Sequence, residues 1–160
     1  MRYLFIICLF ALLVQIPCQN ASAKAGDYAL RPLLGLSFNL LDFEDQVRVG
    51  GEFNYDLGYN MHISFLSLFG ISNSFRFQMM PGFGYNYLYL GPAIFHGLVG
   101  AGYGRIGSQS TLDFRFSTGV SLPLSEKVNA YSDINYFISP AGTAGTPQTF
   151  DWLIGLGFKL

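Results

Sequence analysis

The chain has 160 residues and a formal net charge of −1 at pH 7. Charged residues make up 12% of it, against about 25% in typical soluble domains, whereas aromatic residues make up 17%. A net charge so close to zero gives no electrostatic basis for binding nucleic acid. It also excludes an ordinary charged, water-facing surface, and so favours a protein with an apolar exterior.

The first 23 residues have the layout of a secretory signal peptide. Met1 and Arg2 form a short positive start, residues 3–16 are almost wholly apolar, and an Ala-x-Ala cleavage site follows. The apolar run is shorter than the roughly 20 residues that a transmembrane helix needs, which disfavours a membrane anchor. We therefore predict that residues 1–23 are removed and that residues 24–160 form a single domain.

The first half of that domain alternates apolar and polar residues with a period of two, which is typical of β-strands. The clearest example is residues 47–60, where Val, Leu and aromatic residues occupy odd positions and charged residues, Asn and Gly occupy even ones. The pattern predicts a first strand at 28–41, a polar loop at 42–46, a second strand at 47–60 turning near 58–61, a third strand at 62–71, a loop at 70–74 and a fourth strand from Phe75.

Residues 87–103 are nearly continuously apolar and are long enough for a helix. Pro92 and four glycines argue against one, because a helix interior tolerates these residues badly. We predict a connection over Asn86–Pro92 and a fifth strand at about Ala93–Ile106.

The remaining sequence returns to clear alternation. It predicts a loop at 107–110, a sixth strand at 112–122, a turn at 123–126, a seventh strand at 128–138, a loop at 139–148 and a last strand at 150–160. The total is eight strands.

Two closed arrangements of eight strands differ in the face that points outward. A soluble, lipocalin-like barrel lines a cavity with its apolar face, whereas a transmembrane barrel turns that face to lipid. The polar faces here carry Gly, Ser, Asn and few charges, which is too little charge for strands facing water. We predict an all-β fold, an eight-stranded antiparallel up-and-down transmembrane β-barrel.

The charged residues on the polar faces nearly balance in sign. Buried charges need partners, and an eight-stranded lumen has room only for packed side chains. We therefore predict an inward network of ion pairs and hydrogen bonds that plugs the lumen. Its members are Arg48, Glu52, Asp56, Arg76, Asp113, Arg115, Asp133, Asp151 and Lys159.

The opposite faces carry the aromatic residues. Membrane barrels place such side chains toward lipid or at the membrane interfaces. The predicted lipid-facing and interfacial set is Phe53, Tyr55, Tyr59, Phe114, Phe116, Tyr136, Trp152 and Phe158. A charge at Phe53 or Tyr55 should therefore block insertion, while a charge at Asn54 should be tolerated.

The mature chain resembles the small OmpA/OmpX-like outer-membrane β-barrels of Gram-negative bacteria. The resemblance rests on the alternating pattern, and above all on the last strand at 150–160, which has Phe158 near its end. Family members usually end on an aromatic residue, whereas this chain ends on Leu160. The resemblance implies a monomer in the bacterial outer membrane, inserted from the periplasm by the assembly machinery. Its partners would be outer-membrane lipid and lipopolysaccharide. Both termini would be periplasmic, with the loops near 42–46, 70–74, 107–110 and 139–148 outside.

Two motifs could carry chemistry. Residues 102–107 match the dinucleotide-binding string G-x-G-x-x-G, but a strand follows where that site needs a helix. His62 and Ser64 share a strand face and look similar to the His-x-Ser pair of lipid A deacylases. In that family the pair lies late in the chain and an acid orients it, and no acid is evident here at a matching position.

His96 has no paired carboxylate or cysteine near it in the sequence, so no metal site is predicted, and no cofactor. The predicted function is structural or related to envelope integrity, with a packed polar lumen and no catalysis. The alternative is a narrow pore or a conduit for a small hydrophobic ligand, favoured if Met80, Tyr131 and Phe137 line an open pocket. A lipid A-modifying enzyme is the third candidate.

Overall fold

The computed structural model describes residues 25–39, 46–71, 75–140 and 148–160. The predicted signal peptide and most of the predicted loops near 42–46, 70–74 and 139–148 lie outside these ranges. The strands are β1 (Tyr28–Asn39), β2 (Gln46–Gly58), β3 (Met61–Ile71), β4 (Arg76–Leu90), β5 (Ala93–Ile106), β6 (Gln109–Pro123), β7 (Val128–Ile138) and β8 (Gln148–Lys159). Among the described residues, no helix has the length and apolarity needed to cross a membrane.

Each strand pairs antiparallel with the next, and β1 pairs with β8 to close the barrel. The predicted all-β, eight-stranded up-and-down barrel is therefore confirmed. The predicted connection over Asn86–Pro92 is wrong, because β4 continues to Leu90 and the chain turns only at Gly91 and Pro92. The register of β4 against β5 shifts between Asn86 and Leu88. This irregularity breaks the alternation that would otherwise have identified the strand.

Three short turns and both ends of the described chain lie at the same end of the barrel. Tyr59 and Asn60 join β2 to β3, and both have positive φ, at 52° and 64°. Two consecutive residues in this conformation are what a tight type I′ hairpin turn requires. We call this end, which also carries Ala25 and Leu160, the terminal end, and the opposite end the loop end.

The alternation sorts the side chains between the outer wall and the lumen. Large apolar residues are exposed along every strand of the wall, for example Phe53 on β2 and Trp152 on β8. The lumen is mostly polar, but it also holds a packed apolar cluster of Leu33, Leu66, Leu68, Met80, Phe137 and Leu153. An apolar exterior around a polar interior is the reverse of a soluble protein and is typical of membrane barrels.

The lumen as candidate functional site

The lumen contains eight buried charged side chains among the described residues, four arginines and four carboxylates. The arginines are Arg31, Arg48, Arg76 and Arg115, and the carboxylates are Glu52, Asp113, Asp133 and Asp151. Charges taken out of water require partners of opposite sign. The equal numbers allow each to be compensated inside the barrel.

Arg48 and Asp151 lie at the centre of a hydrogen-bonded group at the loop end. Arg48 Nε donates to Asp151 Oδ2 at 2.8 Å, and its Nη2 donates to Gln78 Oε1 at 2.9 Å. The Ser37 hydroxyl donates to the other oxygen of Asp151. Both Arg48 and Asp151 are fully buried, so this ion pair is shielded from water.

Asp113 extends the same group across the lumen. It accepts hydrogen bonds from Gln78, from Thr111 at 2.7 Å and from Ser139 at 2.6 Å. Arg76 Nη2 lies 3.8 Å from Asp113 Oδ2, and Arg76 Nη1 donates to Thr149 Oγ1 at 3.3 Å. We call the whole set the loop-end network. Its members are Ser37, Arg48, Arg76, Gln78, Thr111, Asp113, Ser139, Thr149 and Asp151.

Glu52 lies between two arginines nearer the middle of the barrel. Arg115 Nη1 donates to Glu52 Oε1, and Arg31 Nη1 donates to Oε2 at 3.3 Å. Arg115 Nε also donates to Asn135 Oδ1 at 2.7 Å, and the Arg31 guanidinium lies 3.6 Å above the ring of Tyr131. Sequence reasoning missed Arg31, although its odd position on β1 shares the inward face of Ser37.

His96 also differs from what the sequence predicts. Its Nε2 lies 2.7 Å from Asp133 Oδ1, so the expectation that no carboxylate accompanies it is wrong. The two residues are far apart in sequence but pair with the same position on β6, Gly119. A Cβ at Gly119 would overlap the Asp133 carboxylate. The missing side chain therefore provides the space in which the pair forms.

Two residues predicted in the network are not part of it. Asp56 is half-buried and accepts a hydrogen bond from the Gly58 backbone at 2.8 Å, and Lys159 is exposed. Neither takes part in the ion pairs found among the described residues. Both have inward parity, but they lie near the strand ends, where the lumen opens and few protein groups surround them.

The terminal end of the lumen holds a cavity of about 450 Å³. We call it the terminal-end cavity, and its lining includes Arg31, Asn54, His62, His96, Tyr131 and Lys159. An open pocket lined by Met80, Tyr131 and Phe137 would favour a conduit. Met80 and Phe137 lie instead in the packed apolar cluster. Of those three residues only Tyr131 faces open space.

His62 and Ser64 both face the lumen, but they do not form a catalytic pair. Neither Ser64 Oγ nor His62 Nε2 has a hydrogen-bond partner among the described residues. A nucleophile and its base should lie within about 2.6–3.2 Å of each other. The described residues also contain no group of three or more His, Cys, Asp or Glu side chains able to hold a metal ion.

The aromatic residues predicted on the outside occupy outward positions. Phe53, Phe114, Phe116, Trp152 and Phe158 are exposed on the wall, and Tyr55 and Tyr136 are half-buried there. Neighbouring rings cover them. The ring centroids of Tyr55 and Tyr28 lie 5.0 Å apart, and those of Tyr136 and Phe150 lie 4.9 Å apart. Tyr59 differs, because it lies in the β2–β3 turn rather than on a strand.

Comparison with known proteins gives structural but not sequence relatives. No protein-family model matches the chain, and no curated protein matches its sequence. Neisserial surface protein A matches with a TM-score of 0.67 at 9% identity, covering 88% of this chain and 100% of that one. The N-terminal β-barrel domain of Pseudomonas aeruginosa OprF gives 0.66 at 11% identity, with coverages of 85% and 98%.

Ail, the attachment invasion locus protein of Yersinia pestis, gives a TM-score of 0.55 at 12% identity, covering 86% of this chain and all of that one. Identities this low carry the fold alone. The chain therefore has the fold of the small eight-stranded outer-membrane β-barrels, as its sequence predicted.

Proposed function

We propose that this protein is a non-conducting, non-catalytic barrel of the bacterial outer membrane with a structural role in envelope integrity. The observation that carries the proposal is the lumen. Its loop-end half is filled by the loop-end network and by the apolar cluster, while large apolar side chains cover the outer wall. A barrel of this kind can span a bilayer as a rigid, lipid-contacting body without giving solutes a path.

The proposal includes the orientation of the barrel. The terminal end faces the periplasm and the loop end faces the cell exterior, because a chain inserted from the periplasm leaves its short turns and termini behind. The partners are outer-membrane lipid and lipopolysaccharide, with the assembly machinery acting during insertion. The protein acts as a monomer. A cleaved signal peptide over residues 1–23 is part of the same proposal.

Two other functions have less support. A narrow conduit would need an open path, and the loop-end network lies across it. A lipid A-modifying enzyme would need an activated nucleophile, and Ser64 has no hydrogen-bond partner among the described residues.

Conductance and cell-envelope assays test the proposal together. The refolded protein in planar bilayers should show no discrete open levels above those of protein-free membranes. Deleting the gene should raise the permeability of the outer membrane to a large hydrophobic dye, and the unmodified gene should restore it. Stable channel openings would contradict the closed lumen, and an unchanged permeability would contradict the structural role.

Insertion can be tested at two neighbouring residues of β2. Phe53 is exposed on the wall, whereas Asn54 is buried in the lumen. Phe53→Lys places a charge against lipid, at about 2–4 kcal/mol near the bilayer midplane, and should sharply reduce the folded, heat-modifiable fraction recovered in vesicles. Asn54→Asp, the control at the neighbouring residue, should insert normally because its charge faces the lumen and not lipid. Equal insertion of the two variants would mean that the wall does not face lipid.

A further inference from the structure

Charged side chains on the described strands have inward parity with one exception, Arg105 on β5. Its neighbour Gly104 faces the lumen, where a Cβ would overlap the Asp113 carboxylate. Because successive residues of a strand point to opposite faces, Arg105 points outward, and it is exposed. Every other Asp, Glu, Lys or Arg within the eight strands has inward parity. Arg105 is therefore the one charge that these strands place on the outer wall.

Arg105 lies at the loop end of the barrel, where β5 ends at Ile106. A charge on the lipid face of a membrane barrel costs far less near an interface than at the bilayer midplane. The position of Arg105 is therefore the depth at which lipid headgroups meet the wall. Tyr103 and Leu112, which pair with each other just below it on β5 and β6, are exposed and largely apolar. Acyl chains can pack against these two side chains.

The guanidinium of Arg105 is oriented by the chain but keeps most of its donors. Its Nε donates to the Gly107 carbonyl oxygen at 3.0 Å. Within the described ranges it makes no other hydrogen bond and no ion pair. The sequence of the neighbouring connections adds no carboxylate, since residues 72–74 are Ser, Asn and Ser and the β5–β6 turn is Gly107 and Ser108. The N–H groups on Nη1 and Nη2 therefore remain for a partner outside the chain.

Two hydroxyl groups lie on the same part of the wall. Ser110 is the partner of Arg105 in the β5–β6 register, and its Oγ lies 3.1 Å from the Tyr103 hydroxyl oxygen. Whichever hydroxyl donates to the other, one hydroxyl proton is left over. We call Tyr103, Arg105 and Ser110 the Arg105 patch. It presents a fixed positive charge, several N–H donors and one O–H donor to the outside.

We propose that the Arg105 patch binds a phosphate group of lipopolysaccharide. A phosphate monoester offers three acceptor oxygens, and arginine binds phosphate through two parallel N–H···O bonds. The remaining hydroxyl of the patch donates to the third oxygen, and the acyl chains lie along the apolar wall against Leu112. Free phosphate would gain nothing from that wall. The inference rests on the proposed function, whose orientation places the loop end in the leaflet that carries lipopolysaccharide.

The experiment titrates lipids into the refolded protein in detergent micelles and measures bound lipid by native mass spectrometry. Lipid A that carries its phosphates should bind more tightly than lipid A from which they have been removed. Arg105→Gln should weaken binding of the phosphorylated form about tenfold, since a hydrogen bond to a charged group contributes that much or more. It should leave binding of the dephosphorylated form unchanged. Lys159→Gln, the matched control, removes an exposed cation at the terminal end and should alter neither affinity.

Several results would overturn the proposal. One is equal binding of the two forms of lipid A by the unmodified protein. Another is normal binding of lipid A by an Arg105→Gln variant that folds by heat-modifiable mobility, or an equal loss in Lys159→Gln. Phosphatidylglycerol that binds as tightly as lipid A would also overturn it, because the patch would then accept any anionic phospholipid. Each of these results would leave the closed lumen and the structural role standing, whereas channel openings would contradict the proposed function without affecting this site.

Discussion

The two halves of the lumen are built from the same alternating strands, yet one is packed and the other is hollow. At the loop end each carboxylate has several donors: Asp113 accepts from Gln78, Thr111 and Ser139, and Asp151 accepts from Arg48 and Ser37. At the terminal end, Asn54 and His62 keep polar atoms without partners among the described residues. Loop-end side chains meet across the axis, whereas terminal-end side chains stay near the wall.

Glycines help to hold the terminal-end rings against the wall. A Cβ at Gly84 would overlap the ring of His62, and one at Gly157 would overlap the ring of Tyr131. Each ring therefore lies against a neighbouring strand that has no side chain at that point. The period-two pattern decides which side chains enter the lumen. Inward glycines make room for them in both halves, as at Gly104 in the loop-end half, where a Cβ would overlap the Asp113 carboxylate.

The largest effect should come from breaking the loop-end network at its central pair. Arg48→Met leaves Asp151 buried without its cation, and such changes typically cost about 3–5 kcal/mol. The free energy of unfolding, measured by urea titration in vesicles with the fluorescence of Trp152, should fall by that amount. The double variant Arg48→Met with Asp151→Leu should recover much of the loss. A single variant that loses less than about 1 kcal/mol would mean that the pair is hydrated and not buried.

Crowding the terminal-end half should have a smaller effect. Gly119→Ala places a methyl group where the Asp133 carboxylate lies, and forced overpacking costs about 1–3 kcal/mol. The same unfolding assay should detect this loss. Gly97→Ala on β5 is the matched control, because its Cβ would meet its neighbours only at 3.7 Å or more. Equal stability of the two variants would contradict the close approach of Asp133 to β6.

Removing one ring of the cavity lining should affect stability still less. Tyr131→Leu deletes the contact with the Arg31 guanidinium, and a cation–π pair of this kind contributes about 0.5–2 kcal/mol. The variant should remain non-conducting in planar bilayers, because the loop-end half stays packed. Channel openings in this variant would show that the terminal-end half also closes the lumen.

Lys159→Ala should have almost no effect. Lys159 is exposed at the terminal end, and surface substitutions usually change stability by no more than about 0.5 kcal/mol. The same urea titration measures it. A loss of unfolding free energy as large as that of Arg48→Met would show that Lys159 does belong to the inward charge network, as the sequence pattern predicts.

The sequence predicts the wall of the barrel much better than its interior. Strand parity alone identifies which face of β2 or β6 carries charge, because alternation is a local property. Pairings such as His96 with Asp133 depend on the register of three adjacent strands, which no single segment reveals. The same limit explains Arg31: its parity places it in the lumen, but its partners Glu52 and Tyr131 lie on other strands. The bulge between Asn86 and Leu88 hid the last third of β4 by breaking the local pattern.

The long sequence separation of the loop-end ion pairs bears on how the barrel enters a membrane. Arg48 and Asp151 are 103 residues apart, and Ser37 and Asp151 are 114 apart, so these partners meet only when the first and last strands close the ring. A strand that entered the bilayer alone would carry an unpaired charge and an open edge into hydrocarbon. Strand-by-strand threading is therefore energetically blocked. The charged faces must stay hydrated until the ring is nearly complete, so closure and crossing of the bilayer are one coupled event.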